Sequence, residues 1–162
     1  AQTLLAPQEY DLKDFTMPVH EQARGSFAES IETLRGVVFI LDGHLETAKK
    51  LFQSLLERTE HSLSETFCQL YLLQIALLEG NNEKAEEYAS IRSVKSFLSL
   101  KMADMQMIQA WYQFKVKKDV AQTRKAMKIA RQKMNSSRML RDEKCYYENW
   151  LAELEKELSE GV

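Results

Sequence analysis

Apolar residues along this chain recur at steps of three and four, and charged residues fill the gaps. In the segment 44–58, Leu45, Ala48, Phe52, Leu55 and Leu56 fall on one side of a helix, leaving Lys49, Lys50 and Glu57 outside. Segment 119–134 repeats the arrangement with Val120, Thr123, Met127, Ala130 and Met134. Residues 67–78 read Phe-Cys-Gln-Leu-Tyr-Leu-Leu-Gln-Ile-Ala-Leu-Leu, apolar on more than one side. A helix of that kind needs cover on both flanks, as stacked repeats provide. Near the C-terminal end Leu140, Tyr147, Leu151, Leu154 and Leu158 form one stripe, with Glu148, Glu153, Glu155 and Glu157 elsewhere, which suits a helix closing the stack. No alternating run of β-branched residues competes, so the chain reads as all-α.

Breakers and caps divide that pattern. Both prolines, Pro7 and Pro18, precede residue 19, and the rest is rich in Leu, Glu, Lys, Ala, Gln and Met, which lose little rotamer freedom in a helix. Ser26-Phe27-Ala28-Glu29 and Ser62-Leu63-Ser64-Glu65, 36 residues apart, read as capping boxes, and further steps of 37 lead to Ser99 and Ser136, neither of which carries the Glu. Asp42-Gly43-His44-Leu45-Glu46-Thr47-Ala48 aligns with Glu79-Gly80-Asn81-Asn82-Glu83-Lys84-Ala85, 37 residues later. A third copy, Lys117-Lys118-Asp119, follows at 38 with Lys118 in the glycine position. Two independent marks sharing a period of about 37 predict repeated helix–turn–helix units. Seven helices are expected near 26–41, 44–58, 63–79, 82–95, 99–116, 119–134 and 138–158. Residues 1–25 are expected to form an extended or partly ordered N-terminal segment, and 26–162 the repeat domain. Ser90, Ser93 and Ser96 weaken the second half of the fourth helix.

The first unit carries Gly36, Phe39, Gly43, Ala48 and Phe52, the small and aromatic positions of a tetratricopeptide repeat, which it resembles. The second keeps Gly80 and Ala85 beside Leu73, Ala76 and Ala89. The third is more divergent, with Trp111, Phe114, Thr123, Met127, Ala126 and Ala130. The resemblance covers about 26–134 and departs from the family in its longer period and missing terminal proline. It implies a right-handed superhelix of about three helical hairpins plus a C-terminal capping helix. It also implies a protein–protein interaction module, an adaptor or the effector-binding or oligomerising domain of a larger regulator, that holds its partner on a concave face. On this sequence that face is Ser30, Thr33, Val37 and Ile40, then Phe67, Leu70, Gln74 and Leu77, then Met105, Ile108, Tyr112 and Lys115. Thr33 and Val37 stand where units that clamp a carboxyl-terminal peptide place Lys and Asn, which argues against that use. An apolar groove of this kind suits an amphipathic helix of a partner. A neighbouring subunit, making a homo-oligomer, or residues 1–25 with Leu4, Leu5, Ala6, Phe15 and Met17, are the other covers.

Charge adds a rival. The 162 residues carry a formal net charge of −2, with 44% hydrophobic and 28% charged residues, ordinary for a globular domain. Residues 115–144, however, carry +8 and the remainder −10. Arg124, Lys125, Lys128 and Arg131 cluster on one helix, a basic patch fit for phosphate backbones or an acidic partner. Nucleic acid is therefore the alternative partner. A solvated face, or pairing with the acidic 143–160 helix, is the plain account of the same charges, since no base-reading aromatics are interleaved.

Catalytic chemistry finds no foothold. His20, His44 and His61 are scattered, no paired-Cys or His-Glu-x-x-His motif occurs, and no glycine-rich phosphate loop is present. No catalytic residue, metal ligand or cofactor is expected, and the chain reads as a non-enzyme. Cys68 and Cys145 read as buried thiols, Met102, Met105 and Met107 as packing groups. With no apolar run near 18 residues and no secretory h-region, the expectation is a cytoplasmic protein without a membrane partner.

Overall fold

The computed structural model describes residues 21–136 and 141–161, with side chains from Phe27 onward. Among these residues there are eight α-helices and no strand: α1 Glu21–Leu41, α2 Leu45–Arg58, α3 Ser62–Glu79, α4 Asn82–Ala89, α5 Arg92–Leu98, α6 Ala103–Lys115, α7 Val120–Ser136 and α8 Arg141–Glu160. Helices pack mainly on their neighbours in sequence. The chain divides into two compact units, residues 1–75 and 76–162, with the division inside α3.

The turns follow the expected repeat. Gly43 and Gly80 have φ of +81° and +74°, and Lys118 takes the same left-handed conformation at +58°. Only glycine enters that region without a Cβ penalty, so Lys118 holds its place against a local cost. Gly43 and Gly80 follow the ends of α1 and α3 within two residues, and Lys118 stands three residues past the end of α6. From the residue after each glycine, the N–H of His44 donates to Phe39 O at 2.8 Å and that of Asn81 to Ala76 O at 2.9 Å; after Lys118 the Asp119 N–H donates to Gln113 O at 2.9 Å, one residue further back.

The serines behave otherwise. α1 runs from Glu21 through Gly25 and Ser26, so Ser26 starts no helix. Glu21, Gln22, Ala23 and Arg24 are themselves good helix formers and carry the helix upstream of it. Ser62 does open α3. Ser99 instead closes α5, its hydroxyl donating to Ser96 O at 2.6 Å, and the next helix begins at Ala103. Ser136 is the last residue of α7. A serine hydroxyl serves either helix end, which a start-signal reading overlooks. The single helix expected at 82–95 is two, α4 and α5. Ser90 bends its hydroxyl back to Glu86 O at 2.7 Å, and the chain leaves the helix at Ile91 with ψ of 130°.

In unit 1, α1 and α2 approach closely at Gly36 of α1. The buried Phe52 ring of α2 lies so near that a Cβ at position 36 would stand 2.2 Å from its Cζ. Phe52 stacks on Tyr71 of α3 with centroids 5.2 Å apart, carrying the core onward. Arg58 at the end of α2 pairs with Glu32, and the Thr59 hydroxyl donates to Glu29 Oε2 at 2.8 Å. Ala48, Phe52, Leu55 and Cys68 are fully buried. Burial, with the carboxylates of Glu29 and Glu32 adding to it, pushes the Cys68 thiol up to about 12.

In unit 2, α6 and α7 form the most extensive pair. From Ala103 to Tyr112 only Asp104 and Gln109 are not buried, the all-round apolar helix expected of a covered element. Gln106 donates its amide to Leu98 O at 3.1 Å and Leu100 O at 2.8 Å, fixing the α5–α6 connection. The α8 stripe Tyr147, Leu151, Leu154 and Leu158 is buried, whereas Leu140 lies outside the described residues. So do residues 1–20, including both prolines and the apolar groups proposed as cover. Cys145 is exposed, against the expectation of a buried thiol, because it lies off that stripe; Asn149 approaches its Sγ at 3.9 Å. Met105 and Met107 are buried, and Met102 is 49% exposed at the start of α6.

Candidate functional site

Helical spacing builds one concave site in unit 2. On α8, Tyr146, Asn149, Trp150, Glu153 and Glu157 stand at i, i+3, i+4, i+7 and i+11 and so share a face. On α6, Trp111 and Lys115 are one turn apart. With the end of α3, Leu77 to Gly80, these residues line an open cleft of about 520 Å³. That volume is within the range of ordinary ligand clefts.

Aromatic stacking sets the floor. The Trp111 and Trp150 rings lie nearly parallel with centroids 5.1 Å apart, and Tyr146 leans on Trp150 at 6.0 Å. Both indoles are almost entirely buried. Trp111 Nε1 is buried and has no hydrogen-bond partner among the described residues. Lys115 crosses the wall of the cleft. Its ammonium stands 5.2 Å from the Trp111 ring centre, donates to Glu157 Oε1 at 2.9 Å and lies 2.7 Å from Oε2 as an ion pair. Asn149 and Glu153 are exposed at the mouth. The cleft thus offers a short apolar floor under an acidic rim, suited to an anchor side chain from another molecule.

The residues expected on a concave face divide between the two units and differ in exposure. In unit 1, Thr33, Val37 and Phe67 are partly exposed, while Ile40, Leu70 and Gln74 are buried. Thr33 donates to Glu29 O at 2.9 Å, a bond within its own helix. In unit 2, Leu77, Met105, Ile108 and Tyr112 are buried and Lys115 is partly exposed. Tyr112 donates to Glu86 Oε2 at 3.2 Å, and Lys117 bonds Glu86 Oε1 at 2.9 Å. The Lys117 ammonium holds the Glu86 carboxyl below its usual range, and burial raises the Tyr112 hydroxyl. Of the expected face, Leu77 and Lys115 belong to the cleft; Trp150, Tyr146 and Glu153 were not anticipated. Their signal was the second helical stripe on α8, one residue offset from the Leu stripe.

The basic patch lies along α7. Arg124, Lys125, Lys128 and Arg131 are all exposed. Arg131 pairs with Glu155 of α8, the pairing with the acidic helix that the charge pattern suggested. Arg124, Lys125 and Lys128 have no carboxylate partner among the described residues. Arg124, Lys128 and Arg131 border a concavity of about 310 Å³ with Met127 and Glu155.

Among the described residues no three His, Cys, Asp or Glu side chains cluster as metal ligands, and no helix is long and apolar enough to cross a membrane. No protein-family model, curated protein or solved structure matches this chain.

Proposed function

We propose that this chain is a non-enzymatic protein–protein interaction module, and that the unit 2 cleft seats an anchor residue from a helix or peptide of its partner. The observation that carries the reading is the aromatic floor of Trp111, Trp150 and Tyr146, set beneath a mouth of exposed polar residues on a regular helix. A rigid floor with an open rim is the arrangement in which a few buried anchors dominate association. The reading keeps the tetratricopeptide-like unit, with its superhelical stacking. Its support is the left-handed turn at 43, 80 and 118, which recurs with the period of the hairpins. A second reading, binding to a nucleic-acid backbone through α7, is favoured by Arg124, Lys125 and Lys128, which have no carboxylate partner among the described residues.

One experiment separates the two. Peptides selected from a displayed random library are titrated by fluorescence anisotropy against wild type, Asn149→Trp and Lys128→Glu, alongside labelled single- and double-stranded oligonucleotides. Asn149→Trp places an indole in the mouth of the cleft at an exposed helical position. Selected peptides should lose at least about tenfold in affinity, near 1.4 kcal/mol, with Asn149→Trp and be indifferent to Lys128→Glu. Peptides indifferent to Asn149→Trp would remove the cleft from the proposal. Oligonucleotide binding that weakens with salt and is lost in Lys128→Glu would transfer the function to α7.

A further inference from the structure

Granted the unit 2 cleft as an anchor seat, on the reading proposed above, its lining selects the chemistry of the anchor. Three carboxylates border it, those of Glu79, Glu153 and Glu157, against the single ammonium of Lys115. Lys115 is engaged by Glu157. Glu153, one turn earlier on α8, is exposed and has no hydrogen-bond or ion-pair partner among the described residues. The wall made by α3 adds charge of the same sign. Leu77 to Gly80 are its last turn and exit, and the carbonyls at a helix C-terminus carry about half a negative charge.

The aromatic floor already holds a cation. The Lys115 ammonium stands 5.2 Å from the centre of the Trp111 ring and 5.5 Å from that of Phe114. Aromatic faces attract cations electrostatically, and arginine fills such places more often than lysine. We propose that the cleft seats the guanidinium of an arginine from the partner, laid against the aromatic floor and bonded to the Glu153 carboxylate.

The walls favour arginine over other anchors for separate reasons. Its planar fork carries five donors, enough for a carboxylate of α8 and a carbonyl at the end of α3, and it sheds water more readily than an ammonium. Leucine or phenylalanine would cover the floor but crowd the rim carboxylates out of water with no counter-charge. An acidic side chain or a phosphate would meet a rim of its own sign.

Both tryptophans of the chain, Trp111 and Trp150, lie in this floor, so intrinsic fluorescence reports on the cleft alone. The full chain is titrated with N-acetyl-arginine methylamide and its lysine, citrulline and leucine counterparts at constant ionic strength. Citrulline keeps the shape of arginine and lacks its charge. The arginine probe should give a saturable change with a dissociation constant of about 1–20 mM, the range of one small anchor. The lysine probe should bind about threefold more weakly, and the citrulline and leucine probes at least about tenfold more weakly. Glu153→Gln should weaken the arginine probe by about threefold and leave the citrulline probe unchanged. Glu148→Gln removes the same charge from an exposed position of α8 outside the cleft and should change neither. Citrulline or leucine binding as tightly as arginine, lysine binding more tightly, equal losses in the two variants, or no saturable change up to about 50 mM overturns the proposal. The peptide titration keeps this failure apart from that of the seat. Peptides that lose affinity in Asn149→Trp while the arginine probe stays silent overturn the guanidinium and keep the seat. An arginine probe that binds while peptides ignore Asn149→Trp keeps the guanidinium site and overturns the seat.

Discussion

Replacing Gly36 with alanine tests how tightly the first hairpin is closed. In an ordinary helix interior the change is stabilising by about 1 kcal/mol, because alanine costs less backbone entropy than glycine. Here the new Cβ would lie 2.2, 2.6 and 2.8 Å from three carbons of the Phe52 ring. These are more than half an ångström inside ordinary contact. The ring cannot swing aside, since it is wholly buried and stacked on Tyr71. Overpacking of a well-filled core costs about 1–3 kcal/mol, and so close a clash belongs at the upper end. Set against the propensity gain, the expected net loss is about 2 kcal/mol, or roughly 4–8 °C in melting temperature for a chain of this size. Urea unfolding followed by circular dichroism would measure it, together with Phe52→Leu and the double variant. Leucine leaves room for the Cβ, so the double variant should be more stable than the two single losses added together, by about 1 kcal/mol or more. A Gly36→Ala chain as stable as wild type, or losses that simply add, would show that the α1–α2 contact is not closed at this point.

Two further outcomes follow from local geometry. Lys118→Gly should stabilise unit 2 by about 1 kcal/mol in urea unfolding, because the side chain sits at φ +58° where only glycine is unstrained; an unchanged or lower midpoint would contradict this. Burial raises the carboxyls of Asp104 and Glu143, and the charge of Asp104 adds to the effect on Glu143. A carboxyl raised in the folded state binds its proton more tightly there than in the unfolded chain. These two groups therefore lower stability at neutral pH, and the loss is relieved as pH falls through their folded-state values. Asp104→Asn, which keeps an acceptor for the Met105 N–H, should raise the urea midpoint at pH 7 and flatten its rise toward pH 5. A variant less stable at pH 7, with wild-type pH dependence, would refute that assignment.

Local steric rules made the turns readable. Gly43 and Gly80 announce left-handed turns by their identity, and Lys118 by its distance from them, since the period demands the same conformation whatever residue stands there. Serine carries no such direction. At 26 it lies inside a helix, at 62 it opens one, and at 99 and 136 it ends one. The hydroxyl bonds whichever free backbone group is near, so only the surrounding helix formers decide its role. The buried stripe of α8 was readable because Tyr147, Leu151, Leu154 and Leu158 repeat within one helix. The cleft was not, because its floor depends on Trp111 meeting Trp150, two residues on separate helices with no shared local pattern. Periodicity identifies which side of a helix is apolar; it does not identify which other helix arrives to cover it. That is also why the positions expected on a concave face divide as they do. Leu70, Met105 and Ile108 carry the period of a buried side and are buried, whereas Leu34 carries an equally regular period and is half exposed.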